Sequence, residues 1–204
     1  MIGAVENAIL ERLRIAGDPA AGVLGYSFES LQTYPEDWQA FWDQSSSKLL
    51  RYPAAFVTFG GFGSTTSYVG GVRGPAAFGL IVVSKSLRNQ RDSREGSGLA
   101  GDIGSYQLAV DAIGLLEGCR LGLPIGPLQT KSLQFVTLTQ KQRDLGLSML
   151  ALRFEADLNF GEQYLEPDRE FLGDLSTFAV TWDLPPKDSA AEMTQTVTID
   201  QEEA

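Results

Sequence analysis

The sequence predicts an α+β domain, a mostly antiparallel sheet with two main helices packed on one face, followed by an extended acidic C-terminal arm. Three observations predict it. Only two segments, one at the N-terminus and one near residues 103–117, carry a long amphipathic helical spacing. The strand-like segments come in pairs joined by hairpin-length links, which favours antiparallel pairing with the helices gathered on one side. The charge then changes abruptly. From Glu162 onward there are eleven acids against two bases, a balance of −9 within a net charge of −10, so residues 1–161 stand at −1. The expected division is therefore an α+β domain over 1–161 and an acidic extension over 162–204, partly extended or flexible.

In chain order, Ile2, Val5, Ile9, Leu13 and Ala16 recur every three or four residues and predict a helix packed on a core, ended by Gly17 and Pro19. Leu24, Tyr26 and Phe28 alternate as in a strand with one buried face. Trp38, Phe41 and Trp42 suit a short helix within Glu36–Asp43, before a polar loop at Gln44–Lys48. Strong strand signals follow at Ala54–Phe59 and Ala76–Ser84. The glycines between them predict a hairpin with a long, mobile connection, in which Gly60–Gly63 makes a turn. A polar loop is expected from Lys85 to about Ala100, then a second helix over Ile103–Glu117, ended by Gly118, Gly122 and Pro124. Two further strands fit Ser132–Thr139 and Leu145–Leu158. After Gly161 the pattern decays, although Phe178, Val180 and Trp182 alternate as one more strand or a docking segment. The last stretch lacks a core of its own.

Composition removes several classes of chemistry. There is no histidine, so the commonest general base, the commonest zinc ligand and every Ser-His or Cys-His pair are missing. The single cysteine, Cys119, has no partner for a disulfide or redox pair and suits a reducing cytoplasm. The longest apolar run, Ala76–Val83, is less than half the roughly 20 residues a membrane span needs. The acids Glu6 and Glu11 stand where a signal peptide would be basic, so the expectation is a soluble chain with no membrane partner. Gly96, Gly98 and Gly101 form a Gly-x-Gly-x-x-Gly string, but no strand immediately precedes it, and a dinucleotide loop needs one to aim its N–H groups. No Gly-Lys-Ser/Thr follows a glycine cluster. Scattered carboxylates offer no evident acid–base pair. The expectation is a protein that is not an enzyme and holds no cofactor and no metal.

The one concentrated basic feature is Lys85, Arg88, Arg91 and Arg94, spaced by three. Such a run can be a solvated loop, or it can meet an acidic neighbour such as the C-terminal segment of another copy. Four bases without interleaved aromatics are a thin footprint for DNA. Together with Phe178, Val180 and Trp182 they are the candidate subunit-interface residues.

Several segments, in order, resemble the tail terminator (tail completion) family of Mu-like phages and prophages. They are Met1-Ile2-Gly3-Ala4-Val5-Glu6-Asn7-Ala8-Ile9, then Arg51-Tyr52-Pro53-Ala54-Ala55-Phe56-Val57, then Val82-Val83-Ser84-Lys85-Ser86-Leu87-Arg88-Asn89, and finally Gly104-Ser105-Tyr106-Gln107-Leu108 ahead of Leu121-Gly122-Leu123. The resemblance covers roughly residues 1–160 and contains no catalytic motif. It implies a virion protein assembled in the host cytoplasm: a ring, hexameric, that caps the completed tail tube, ends polymerisation and offers the head-attachment surface. The implied partners are its own copies, tail tube and sheath proteins and head–tail connector proteins, with DNA passing only through the channel. The alternative is another neck component, such as a connector subunit.

Overall fold

A computed structural model describes residues 1–20, 23–43, 50–68, 71–86, 88, 90–96, 103–161, 177–182 and 193–198. The chain divides into two units, Met1–Phe160 and Gly161–Ala204. In the first, helix α1 (Ile2–Ala16) precedes strand β1 (Ser30–Thr33), helix α2 (Trp38–Asp43), strands β2 (Ala54–Phe62), β3 (Thr66–Tyr68) and β4 (Gly71–Lys85), and helices α3 (Gln90–Glu95) and α4 (Ser105–Leu116). Strand β5 (Gln129–Phe135), helix α5 (Gln140–Asp144) and strand β6 (Leu147–Phe160) complete it. The second unit holds strands β7 (Thr177–Trp182) and β8 (Met193–Thr198).

The sheet order is β1-β2-β4-β6-β5, with β3 folded back on the start of β4. Every pairing is antiparallel except β1 with β2. Its spine is the β4–β6 pair, in register from Val72↔Phe160 to Lys85↔Leu147. Because side chains alternate across a strand, this register sorts residues onto two faces. Ala76, Phe78, Leu80 and Val82 of β4 meet Leu150, Leu152, Phe154, Ala156 and Leu158 of β6 on one face. There α1 adds Val5, Ile9 and Leu13, and α4 adds Leu108, Ala112 and Leu116. This is the α+β arrangement with both main helices on one side. The opposite face is covered at one end by a second cluster of Trp42, Leu50, Ala54, Phe56, Val83, Leu147 and Met149. Full burial of each such Phe, Leu or Met is worth about 1.5–3 kcal/mol relative to exposure.

The sequence pattern and the structure differ in several places. Leu24, Tyr26 and Phe28 are not a strand. The backbone there finds partners elsewhere, Leu24 N–H donating to the Ala16 carbonyl at 3.1 Å, and the side chains pack around the first cluster. Gly60 and Gly61 do not turn the chain: they lie inside β2, which continues to Phe62 past an irregularity at Phe59/Gly61, where Gly61 takes a φ of +118°. The long connection is therefore mostly strand, with β3 pairing Thr66–Tyr68 to Gly71–Arg73. The Lys85–Ala100 stretch contains α3, and the strand expected over Ser132–Thr139 lies earlier, at Gln129–Phe135. Thr139 instead caps α5 through a box with Gln142, which ends the extended run. The Gln44–Lys48 loop lies outside the described residues.

Candidate assembly surface

Strand β5 ends the sheet, and its outer side has no neighbour among the described residues. Val136 N–H bonds inward to the Met149 carbonyl at 3.1 Å. The alternation of an antiparallel ladder therefore turns the backbone groups of Leu133 and Phe135 outward. Half of this edge is guarded. A register irregularity between Thr130 and Ser132 leaves Lys131 in a bulge, a usual way to discourage further pairing. Ser132–Phe135 carries no such guard.

Helix α4 lies beside this edge, running the opposite way and tied to it at both ends. At one end Glu117, just past the helix, accepts hydrogen bonds from Thr130 N–H at 2.7 Å and Thr130 Oγ1 at 2.5 Å. Those donors favour the charged form and hold its carboxyl below the usual value. At the other end the Tyr106 ring packs edge-on against Phe135, centroids 5.9 Å apart. Between the ties stands an uncovered apolar strip: Tyr106, Val110, Leu133 and Phe135 are 40, 62, 47 and 55% exposed. Single exposed apolar residues are ordinary, whereas four gathered beside one open edge make a candidate interaction surface.

The expected basic cluster is divided by the sheet. Lys85 shares the β4 face of Val83, and its ammonium lies 5.5 Å from the centroid of Tyr52, whose hydroxyl burial pushes up to about 12. Ser84, turned the other way, donates to the Ser93 carbonyl and so holds α3 against the helix-covered face. On α3, Arg91 Nε donates to Glu95 Oε2 at 2.8 Å, both largely exposed, a pair of little energetic weight. Arg88 is exposed. Arg94 alone reaches the apolar strip, its guanidinium 5.1 Å from the Phe135 centroid. A bare backbone at Gly104 makes this possible, since a Cβ there would collide with the Arg94 carbonyl and the Gly96 nitrogen. Gly96 follows a helix, not a strand, and Gly98 and Gly101 lie outside the described residues.

Beyond Phe135 the strip opens into a hollow of about 310 Å³ lined by Arg94, Leu138, Arg143, Ser148 and neighbours. Arg143 is aimed by two hydrogen bonds to the Leu138 carbonyl, at 3.2 and 3.1 Å. Among the described residues, no group of three or more His, Cys, Asp or Glu is placed to hold a metal ion, and no helix is long and apolar enough to cross a membrane. Sequence reasoning missed Tyr106, Val110, Leu133, Phe135 and Arg143. The alternation of Leu133 and Phe135 with Ser132 and Gln134 was visible, but a strand face at an open edge has the same pattern as a covered one.

In the second unit, Phe178, Val180 and Trp182 lie on β7. Its register with β8 is Phe178↔Val197, Val180↔Gln195 and Trp182↔Met193. Directly paired residues share a face, so these three positions and those of Met193, Gln195 and Val197 fall on one face of the ribbon. The other takes Thr177, Ala179, Thr181, Thr194, Thr196 and Thr198.

No curated protein matches the chain. The family model described as "Bacteriophage Mu, Gp37" matches residues 1–159, stopping one residue short of the end of the first unit. That match covers well over half of the sequence, and the chain belongs to the bacteriophage Mu Gp37 family.

Proposed function

We propose that this phage-family protein is a non-catalytic structural component of the virion. It caps the completed tail tube as a ring of identical subunits, ends tube polymerisation and offers the surface to which the head attaches. The observation that carries the reading is the open β5 edge with its apolar strip, in a chain whose first 159 residues match a phage Mu family. An uncovered edge beside exposed Tyr, Val, Leu and Phe side chains is costly in a monomer and useful in an assembly. The motif order that resembles tail terminators supports the tail end as the place, and with it a hexameric ring in contact with tube, sheath and connector proteins. The candidate interface cations enter through Arg94, which stands beside the strip. Electron microscopy of lysates lacking the protein tests the reading: overlong or headless tails are expected, and tails of normal length joined efficiently to heads would refute it.

A further inference from the structure

The ring reading supplies a second copy of the chain; given that copy, the geometry points to how two copies join. The β7–β8 hairpin of one subunit adds to the free edge of β5 in the next, with β7 alongside β5. Its apolar face then continues the Tyr106–Val110–Leu133–Phe135 strip.

Three observations meet in this pairing. The first is sidedness. Edge strand β5 has Leu133 and Phe135 towards one face and Ser132 and Gln134 towards the other. The hairpin register likewise separates the Phe178, Val180, Trp182, Met193 and Val197 positions, with Gln195 among them, from a face of threonines and Ala179. Adding one to the other as a continuous sheet puts apolar beside apolar and hydroxyl beside Ser132 and Gln134. The second is need. A two-stranded ribbon is marginally stable by itself and gains from a sheet to extend, while the outward groups of Leu133 and Phe135 have no ladder partner among the described residues. Strand addition meets both needs through main-chain bonds, with alternate side chains setting specificity.

The third is charge. The hollow at the end of the strip has Arg94 and Arg143 among its lining residues. The segment that carries the hairpin holds eleven acids and two bases, with Asp174, Asp183, Asp188, Glu192 and Asp200 close to the two strands in sequence. An arginine-lined hollow beside an apolar strip complements an apolar ribbon flanked by carboxylates. A donor element and an acceptor edge at different places on one chain make a head-to-tail contact, the kind that closes into rings.

Cysteine trapping in the full-length chain tests the pairing. With Cys119→Ser as background, Leu133→Cys is made in one preparation and Phe178→Cys, Val180→Cys or Trp182→Cys in others. Mixed copies are expected to give a disulfide-linked heterodimer with at least one of the three donors. A ring that assembles from these copies without any such link would overturn the hairpin contact and leave the ring standing. A chain that stays monomeric at every concentration would overturn the ring as well. Combining both cysteines in one chain separates the other occupant: an internal disulfide with no link between copies also overturns the inference. Hydrogen exchange of the unaltered protein gives an independent reading. Amides of Leu133 and Phe135 are expected to slow at least tenfold on assembly, and equal rates in monomer and assembly would refute the contact.

Discussion

The guanidinium of Arg94 lies 5.1 Å from the centre of the Phe135 ring, joining a six-residue helix to the last residue of the sheet's edge strand. A cation over an exposed ring is worth about 0.5–1 kcal/mol. Arg94→Ala is therefore expected to cost about that much in urea unfolding, and a double-mutant cycle with Phe135→Leu should return a coupling energy of the same size. A coupling near zero would show that the two groups are merely adjacent.

A far larger effect is expected at the centre of the sheet. Phe78 and Phe154 stand directly opposite each other on β4 and β6, both fully buried. Truncating either to Ala leaves a cavity in a close-packed layer and should cost about 3–5 kcal/mol. Thermal unfolding of Phe78→Ala and Phe154→Ala checks this. A loss below about 1 kcal/mol would contradict the packing described for this core.

Ser105 at the start of α4 shares a buried 2.8 Å hydrogen bond with Ser148 of β6. Removing one hydroxyl strands the other, at about 1–3 kcal/mol, whereas removing both together is less harmful. Ser148→Ala alone is expected to be more destabilising than Ser105→Ala with Ser148→Ala. Denaturant midpoints of the three variants decide the order.

The tie between Glu117 and Thr130 should respond to acid. Its hydrogen bonds lower the folded-state pKa below the ordinary 4.5, so the folded state favours the carboxylate. The stabilisation is present above about 4.5 and is lost as the pH falls through the lower folded value. Glu117→Gln should therefore lower stability at neutral pH and converge with the unaltered protein at acidic pH. A difference that persists undiminished to the lowest pH at which both still fold would exclude the carboxylate as its source.

Much of the fold was legible because burial enforces periodicity. Val5, Ile9 and Leu13 announce α1 since one helical stripe must face the sheet, and Ala76–Val83 announces β4 since both of its faces are largely covered. The misreadings lie where a residue pattern has two physical outcomes. Leu24, Tyr26 and Phe28 alternate like a strand, yet Tyr26 reaches across to donate to Asp111 on α4 at 2.8 Å, so the segment fastens a helix and forms no ladder. The basic run showed a real charge concentration but not that a sheet would separate Lys85 from Arg94. The apolar strip was hidden for a related reason: Tyr106 and Val110 belong to a helix whose other side is core, and local spacing does not report how far a sheet extends beneath a helix.

The two faces of β4 are not interchangeable. On one side stand Ala76, Phe78, Leu80 and Val82, and on the other Ala77, Gly79, Ile81 and Val83. Adding or losing one residue in the middle of this strand would send Phe78 to the side now floored by Gly79 and would bring Gly79 under the helices. Length changes within β4 are therefore tolerable only in pairs, or where a bulge absorbs the extra residue. Single-residue insertions should concentrate outside the strand, a pattern that a library of one-codon insertions along the gene would reveal.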